Sequence, residues 1–61
     1  MSSPRLLHPI PEAAAILGIG RSTVYALIAT GEIAVVRIGR RTLIAQGELE
    51  RYVAQLAPAG A

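Results

Sequence analysis

Residues 10–31, IPEAAAILGIGRSTVYALIATG, decide the fold, because two short amphipathic patterns stand back to back across one glycine-flanked turn. In the first, Ile10, Ala13, Ala14 and Leu17 recur at the i, i+3, i+4, i+7 spacing that places them on one helix face. Pro11 loses no hydrogen bond at a first helical position, Glu12 sets a carboxylate at the positive end of the helix dipole, and Gly18 supplies the stop. The alanines make this face thin, so a second helix can approach closely. In the second pattern, from about Arg21 to Thr30, Val24, Leu27 and Ile28 form the apolar stripe and Gly31 ends the run. Ser22, Thr23, Tyr25, Ala26 and Ala29 fall away from that stripe and form an outward face.

Working outward, Ile33-Ala34-Val35-Val36-Arg37-Ile38 is rich in β-formers, Gly39-Arg40 is a two-residue break, and Arg41-Thr42-Leu43-Ile44 follows. Glycine at the first central position suits a type II′ hairpin turn, with Arg40 and Arg41 at the tip. Alternation sets Val36 and Ile38 on one face and Arg37 on the other; Thr42 and Ile44 are expected to point inward, leaving Leu43 exposed. A last helix is predicted from about Gly47, with Leu49, Tyr52, Val53 and Leu56 as its apolar stripe. Residues 1–9, with Ser2-Ser3-Pro4 and the His8-Pro9 pair, read as an extended arm carrying a surface histidine, and residues 57–61 as a frayed tail. The expected class is mainly α with a small β-hairpin: a winged helix-turn-helix over residues 10–56.

Composition narrows the function. At 61 residues the chain is expected to hold one domain, and with no cysteine it has no disulfide or thiolate metal site to staple a small core. No apolar run reaches the ~18 residues of a membrane span, and no secretory pattern opens the chain; a soluble cytoplasmic protein without a membrane partner is expected. There is no Asp, Lys or Cys, and His8 is the lone histidine, so no catalytic arrangement, cofactor, metal or small-molecule substrate is expected. All six basic residues are Arg. Between Arg21 and Arg41 four of them stand against Glu32 alone, a local charge of +3, whereas elsewhere two Arg meet three Glu, giving −1.

That asymmetry falls on the elements that have a physical logic on DNA. The ~12 Å major groove admits one helix, and a hairpin beside it reaches the neighbouring backbone or minor groove. At the start of the second helix Arg21 can meet a phosphate or the guanine O6 and N7 acceptors, while Ser22 and Thr23 add hydroxyls where backbone N–H groups attract phosphate. Tyr25 can donate to phosphate, stack on sugar, or pack on the wing. Ala26 offers close approach and a thymine-methyl contact. A protein-interaction module using the same helix and wing without DNA is the alternative from another class.

In order and spacing, Ile10-Pro11-Glu12-Ala13-Ala14, Leu17-Gly18-Ile19, Arg21-Ser22-Thr23-Val24-Tyr25, Leu27-Ile28, Gly31-Glu32-Ile33, Val36-Arg37-Ile38-Gly39-Arg40-Arg41 and Ile44 resemble the excisionase-type winged helix-turn-helix family. The family is similar in fold to the DNA-binding part of MerR-type regulators and includes small phage or mobile-element excisionases and transcriptional regulators. The resemblance implies that residues 21–26 enter the major groove and that Arg37, Arg40 and Arg41 form the wing. It implies double-stranded DNA as partner, with a cognate integrase and cooperating copies of the chain on repeated, bent sites.

Overall fold

In the computed structural model, residues 6–56 are described; the expected tail at 57–61 and the first five residues of the expected arm lie outside them. The elements run β1 (Leu7–Pro9), α1 (Ile10–Leu17), α2 (Arg21–Ala29), β2 (Val36–Ile38), β3 (Arg41–Ala45) and α3 (Gln46–Ala54). The winged helix-turn-helix architecture is therefore present, with one strand more than the sequence suggested.

Both helices of the pair stop by the same device. Gly18 takes φ 75°, a left-handed conformation that costs a glycine little, and Gly18 N–H and Ile19 N–H then donate to the Ala15 and Ala14 carbonyls. After α2, Gly31 and Glu32 repeat the pattern on the Ile28 and Leu27 carbonyls. Because the first stop turns the chain sharply, α1 and α2 are bent by 103° to one another, within the range for a helix-turn-helix. No single helix among the described residues is long and apolar enough to cross a membrane.

The core sits where α1, α2, β3 and α3 meet: Ile10, Ala13, Ala14, Val24, Ile33, Ile44 and Leu49 are buried in one cluster, with Leu17, Ile19, Leu27, Ile28, Val35 and Tyr52 packed partly against it. Ala13 has no exposed surface, and its small size is what lets α2 close on α1. Ile33, Ile44 and Val24 are the largest fully buried side chains. Each contributes about 1.5–3 kcal/mol of transfer free energy.

The sheet order is β1-β3-β2, all antiparallel, with Leu7↔Ala45, His8↔Ile44 and Pro9↔Leu43 on one side and Val36↔Leu43, Arg37↔Thr42 and Ile38↔Arg41 on the other. Residues 7–9, expected as the end of a free arm, are extended but paired. Pro9 is tolerated because β1 is an edge strand. This third strand corrects Leu43, which was expected to be exposed. Lying on the central strand, it is covered by Pro9 and Val36 on its own face and is buried.

His8 is likewise corrected from surface to buried. Its Nδ1 lies 2.6 Å from Glu12 Oε2 on α1, and its Nε2 lies 2.6 Å from Gln46 Oε1 on α3. Gln46 in turn donates from Nε2 to Glu50 Oε2 at 2.9 Å, and its backbone N–H donates to the Leu6 carbonyl. One ring thus ties β1 to two helices. The last helix also differs from expectation: Leu49 is buried and Tyr52 half-buried, but Val53 and Leu56 are about half exposed. Together with Ile16, Leu17, Gln46, Leu49, Glu50 and Ala54, Val53 lines an open groove between α1 and α3. Helix α3 ends at Ala54, so Leu56, the last residue of the predicted stripe, lies beyond it.

On α3, Glu48 is held as a carboxylate. The Arg51 guanidinium donates to both of its oxygens, Nε to Oε1 at 3.0 Å and NH2 to Oε2 at 2.7 Å, and the Ala34 backbone N–H adds a bond at 2.9 Å. Those donors, Arg51 first, pull the Glu48 pKa from 4.5 down to about 2. A depressed carboxylate stabilises the folded chain at pH values above the unfolded pKa, and that contribution fades as the folded pKa is approached. Thermal melts between pH 6 and pH 2 should therefore show a Glu48-dependent fall in Tm beginning near pH 4.5 and continuing towards pH 2. In Glu48→Gln that component should be missing from the profile; an identical pH profile for the two proteins would contradict it.

Candidate nucleic-acid interface

Helix α2 presents its polar side to solvent. Val24 is buried and Leu27 and Ile28 are half-buried, while Arg21, Ser22, Thr23, Tyr25, Ala26 and Ala29 are exposed. At 3.6 residues per turn, Ser22, Ala26 and Ala29 form the centre of that face, with Arg21 and Tyr25 along one flank and Thr23 along the other. The centre is thus made of small side chains and the reach is at the edges. A surface of this shape can settle close to the floor of a groove.

The N-terminus of α2 is electrostatically open. Its N-cap is Gly20, which provides no side-chain hydrogen bond, and its first turn carries no acid; α1 and α3 have Glu12 and Glu48 there. The first intrahelical bond is Val24 N–H to the Gly20 carbonyl at 3.2 Å. The N–H groups of Arg21, Ser22 and Thr23 precede it and remain available to an anion.

The wing is the β2–β3 hairpin. Its turn holds Gly39 at φ 59° followed by Arg40 without a positive φ, which is the pattern of a type II′ turn. All three residues of β2 are exposed, as are Gly39, Arg40 and Arg41. The register sorts the arginines. Arg37 lies opposite Thr42 on the face that also carries Ile44, Arg41 lies opposite Ile38 on the other face, and Arg40 occupies the turn between them. Ile38, 55% exposed beside Arg41, was not singled out from the sequence as a contact residue. The two-residue loop that fixes Ile38 opposite Arg41 was legible and would have been the signal.

Among the described residues, Arg21, Arg37, Arg40 and Arg41 have no carboxylate at ion-pair distance, whereas Arg51 is engaged by Glu48 and its pKa is raised by that bond. The free guanidinium groups are thus those at the start of α2 and on the wing. Tyr25, 57% exposed, adds a hydroxyl and a ring face to the same helix.

Comparison with known proteins agrees with this architecture. Residues 10–57 match the family described as "Helix-turn-helix domain". A protein of Saccharopolyspora erythraea named "Probable excisionase" is 48% identical over 52 residues, which is 85% of this chain and 53% of that protein. The chain spans about half the length of the curated relative it matches. No solved structure matches. With two helices crossing at 103° about a glycine stop, a two-stranded wing behind them and the family match over the same residues, the chain belongs to the excisionase-type helix-turn-helix family.

Proposed function

We propose that the chain is a sequence-reading double-stranded DNA-binding module of an excisionase, with α2 in the major groove and the wing on the adjacent backbone. The observation that carries the proposal is the distribution of uncompensated charge: among the described residues, four guanidinium groups without carboxylate partners lie on α2 and the hairpin, while Arg51 on α3 is paired with Glu48.

In this mode Arg21 meets a guanine edge or its flanking phosphate, the N–H groups and hydroxyls of Ser22 and Thr23 hold a phosphate, and Ala26 sits against a thymine methyl. Tyr25 closes the flank on the sugar-phosphate backbone. Because Arg37 and Arg41 leave opposite faces of the ribbon, the wing enters tip first, Arg40 leading, so that each face meets a different backbone strand. A module of this size buries about 600–1,000 Å² on DNA, which limits its affinity for a single site. Copies on adjacent repeats that bind cooperatively and bend the duplex would overcome that limit and help a cognate integrase assemble an excision complex. The named excisionase relative favours this role over promoter regulation.

Arg21→Ala tests the base-reading part. Against a duplex selected for tight binding, it should cost about 1–3 kcal/mol of discrimination at one base position while leaving the melting temperature near the parental value. Unchanged selectivity in a binding-site selection would remove Arg21 from that role. In a reconstituted excision reaction, stimulation of the cognate integrase by the parental chain is the expected result; promoter repression without stimulation would transfer the reading to transcriptional regulation.

A further inference from the structure

The segment between α2 and β2 leads into the wing, whose two strands are held differently: β3 is the central strand with Leu43 and Ile44 buried, whereas all three residues of β2 are exposed. What holds this connector therefore bears on the placement of β2, the edge strand of the wing, relative to α2. At its start Glu32 and Ile33 N–H both donate to the Leu27 carbonyl, and the Ile33 side chain is buried. At its end two α3 side chains grip the backbone. Glu48 Oε2 accepts from Ala34 N–H at 2.9 Å, and Arg51 NH2 donates to the Glu32 carbonyl at 2.8 Å. The same NH2 group bonds Glu48, and Arg51 NH1 donates to Gln55 Oε1 at 2.8 Å, so the fork is fixed from both sides.

From this geometry we infer that Glu48 and Arg51 are positioning residues: they clamp residues 32–34 to α3 and thereby seat β2, the wing strand that carries Arg37 and leads to the tip, at the position in which it and α2 engage one duplex. The inference about the clamp stands on the free protein; its consequence for binding rests on the DNA reading proposed above. Neither residue belongs to the buried cluster, so breaking the clamp should loosen the connector without emptying the core.

Glu48→Gln gives a test whose sign separates positioning from simple electrostatics. The variant loses a negative charge, which by itself strengthens binding to a polyanion. Its amide nitrogen also turns a donor towards one of the donors that the carboxylate accepts from, which breaks part of the clamp. Positioning predicts weaker binding, by at least about threefold, inside the roughly 2- to 160-fold span of couplings within one shared network. In a chain already carrying Arg40→Ala and Arg41→Ala the same change should cost less than about twofold, because there is little wing left to aim.

Residual dipolar couplings of the free, isotope-labelled chain supply the second readout. The N–H vectors of residues 32–38 should reorient or average relative to those of α2 in Glu48→Gln, and also in Arg51→Met should the first variant fold poorly, while those of β3 stay in place. Tighter binding, equal losses with and without the wing arginines, or unchanged couplings would overturn the proposal. If the parental chain forms no complex with duplex DNA, the DNA reading fails, and the couplings still decide whether the clamp seats β2.

Discussion

Ile44→Ala is expected to leave the chain largely unfolded. Ile44 has no exposed surface, sits on the central strand opposite His8 of β1, and belongs to the same cluster as Val24, Ile33 and Leu49. Truncating a buried isoleucine to alanine costs about 2–5 kcal/mol, from lost transfer free energy and the cavity left behind. A domain below about 70 residues without a disulfide or metal rarely has more than about 3–5 kcal/mol to lose. The two magnitudes are comparable, so a single truncation removes most of the margin. Val36→Ala provides the contrast, since Val36 is 39% exposed and lies on the outer face. Chemical denaturation followed by circular dichroism should show the first protein mostly unfolded before denaturant is added and the second close to the parent. An Ile44→Ala midpoint within experimental error of the parent would contradict the placement of the core.

The second large effect concerns the wing. Arg40→Ala combined with Arg41→Ala should weaken binding to most duplexes with little regard to sequence, because in the proposed mode the turn and strand-end arginines meet phosphates and not base edges. Each phosphate contact contributes about 0.9 to the slope of log affinity against log salt, so the double variant should lose roughly 2 from that slope. Both side chains are exposed and lie outside the core, so stability should scarcely change. If the double variant keeps the parental salt slope, the wing does not contact the backbone, and the function must be carried by α2 alone.

Much of this architecture is written locally. Gly18 and Gly31 end their helices because each is the residue that enters the left-handed region at a stop, and the apolar spacing around Val24 and Leu49 tells which faces turn inward. Gly39-Arg40 likewise fixes the hairpin register without reference to the rest of the chain. What could not be read is what depends on residues far apart. The strand at Leu7–Pro9 is three residues long and ends in a proline, and it becomes a strand through β3, some 35 positions away. The burial of His8 and of Leu43 follows from that pairing, as does the bond from His8 to Gln46. The stripe of α3 was overextended for a local reason: the helix ends at Ala54 with Gln55 as its cap, so Leu56 lies beyond it, and Val53 is left on the rim of the open groove beside α1.

For the candidate interface the residue types and their order were legible, and so was the excess of arginine between residues 21 and 41. The pairing of Arg51 with Glu48 was not, although an i, i+3 spacing of Glu and Arg on one helix is the signal that would have found it. Nor was the division of Arg37 and Arg41 between two faces of the wing drawn out, though it follows from the hairpin register once the turn is known.

The most direct measurement is a fluorescence-anisotropy titration of the parental chain with a selected duplex and a scrambled one across a series of salt concentrations. Three guanidinium–phosphate contacts from the wing, or four where Arg21 also meets a phosphate, predict a slope of log affinity against log salt between about −2.7 and −3.6, with the selected duplex bound more tightly at every salt. No complex with either duplex at low ionic strength, or a slope close to zero, would contradict the claim that these arginines form a DNA-binding surface.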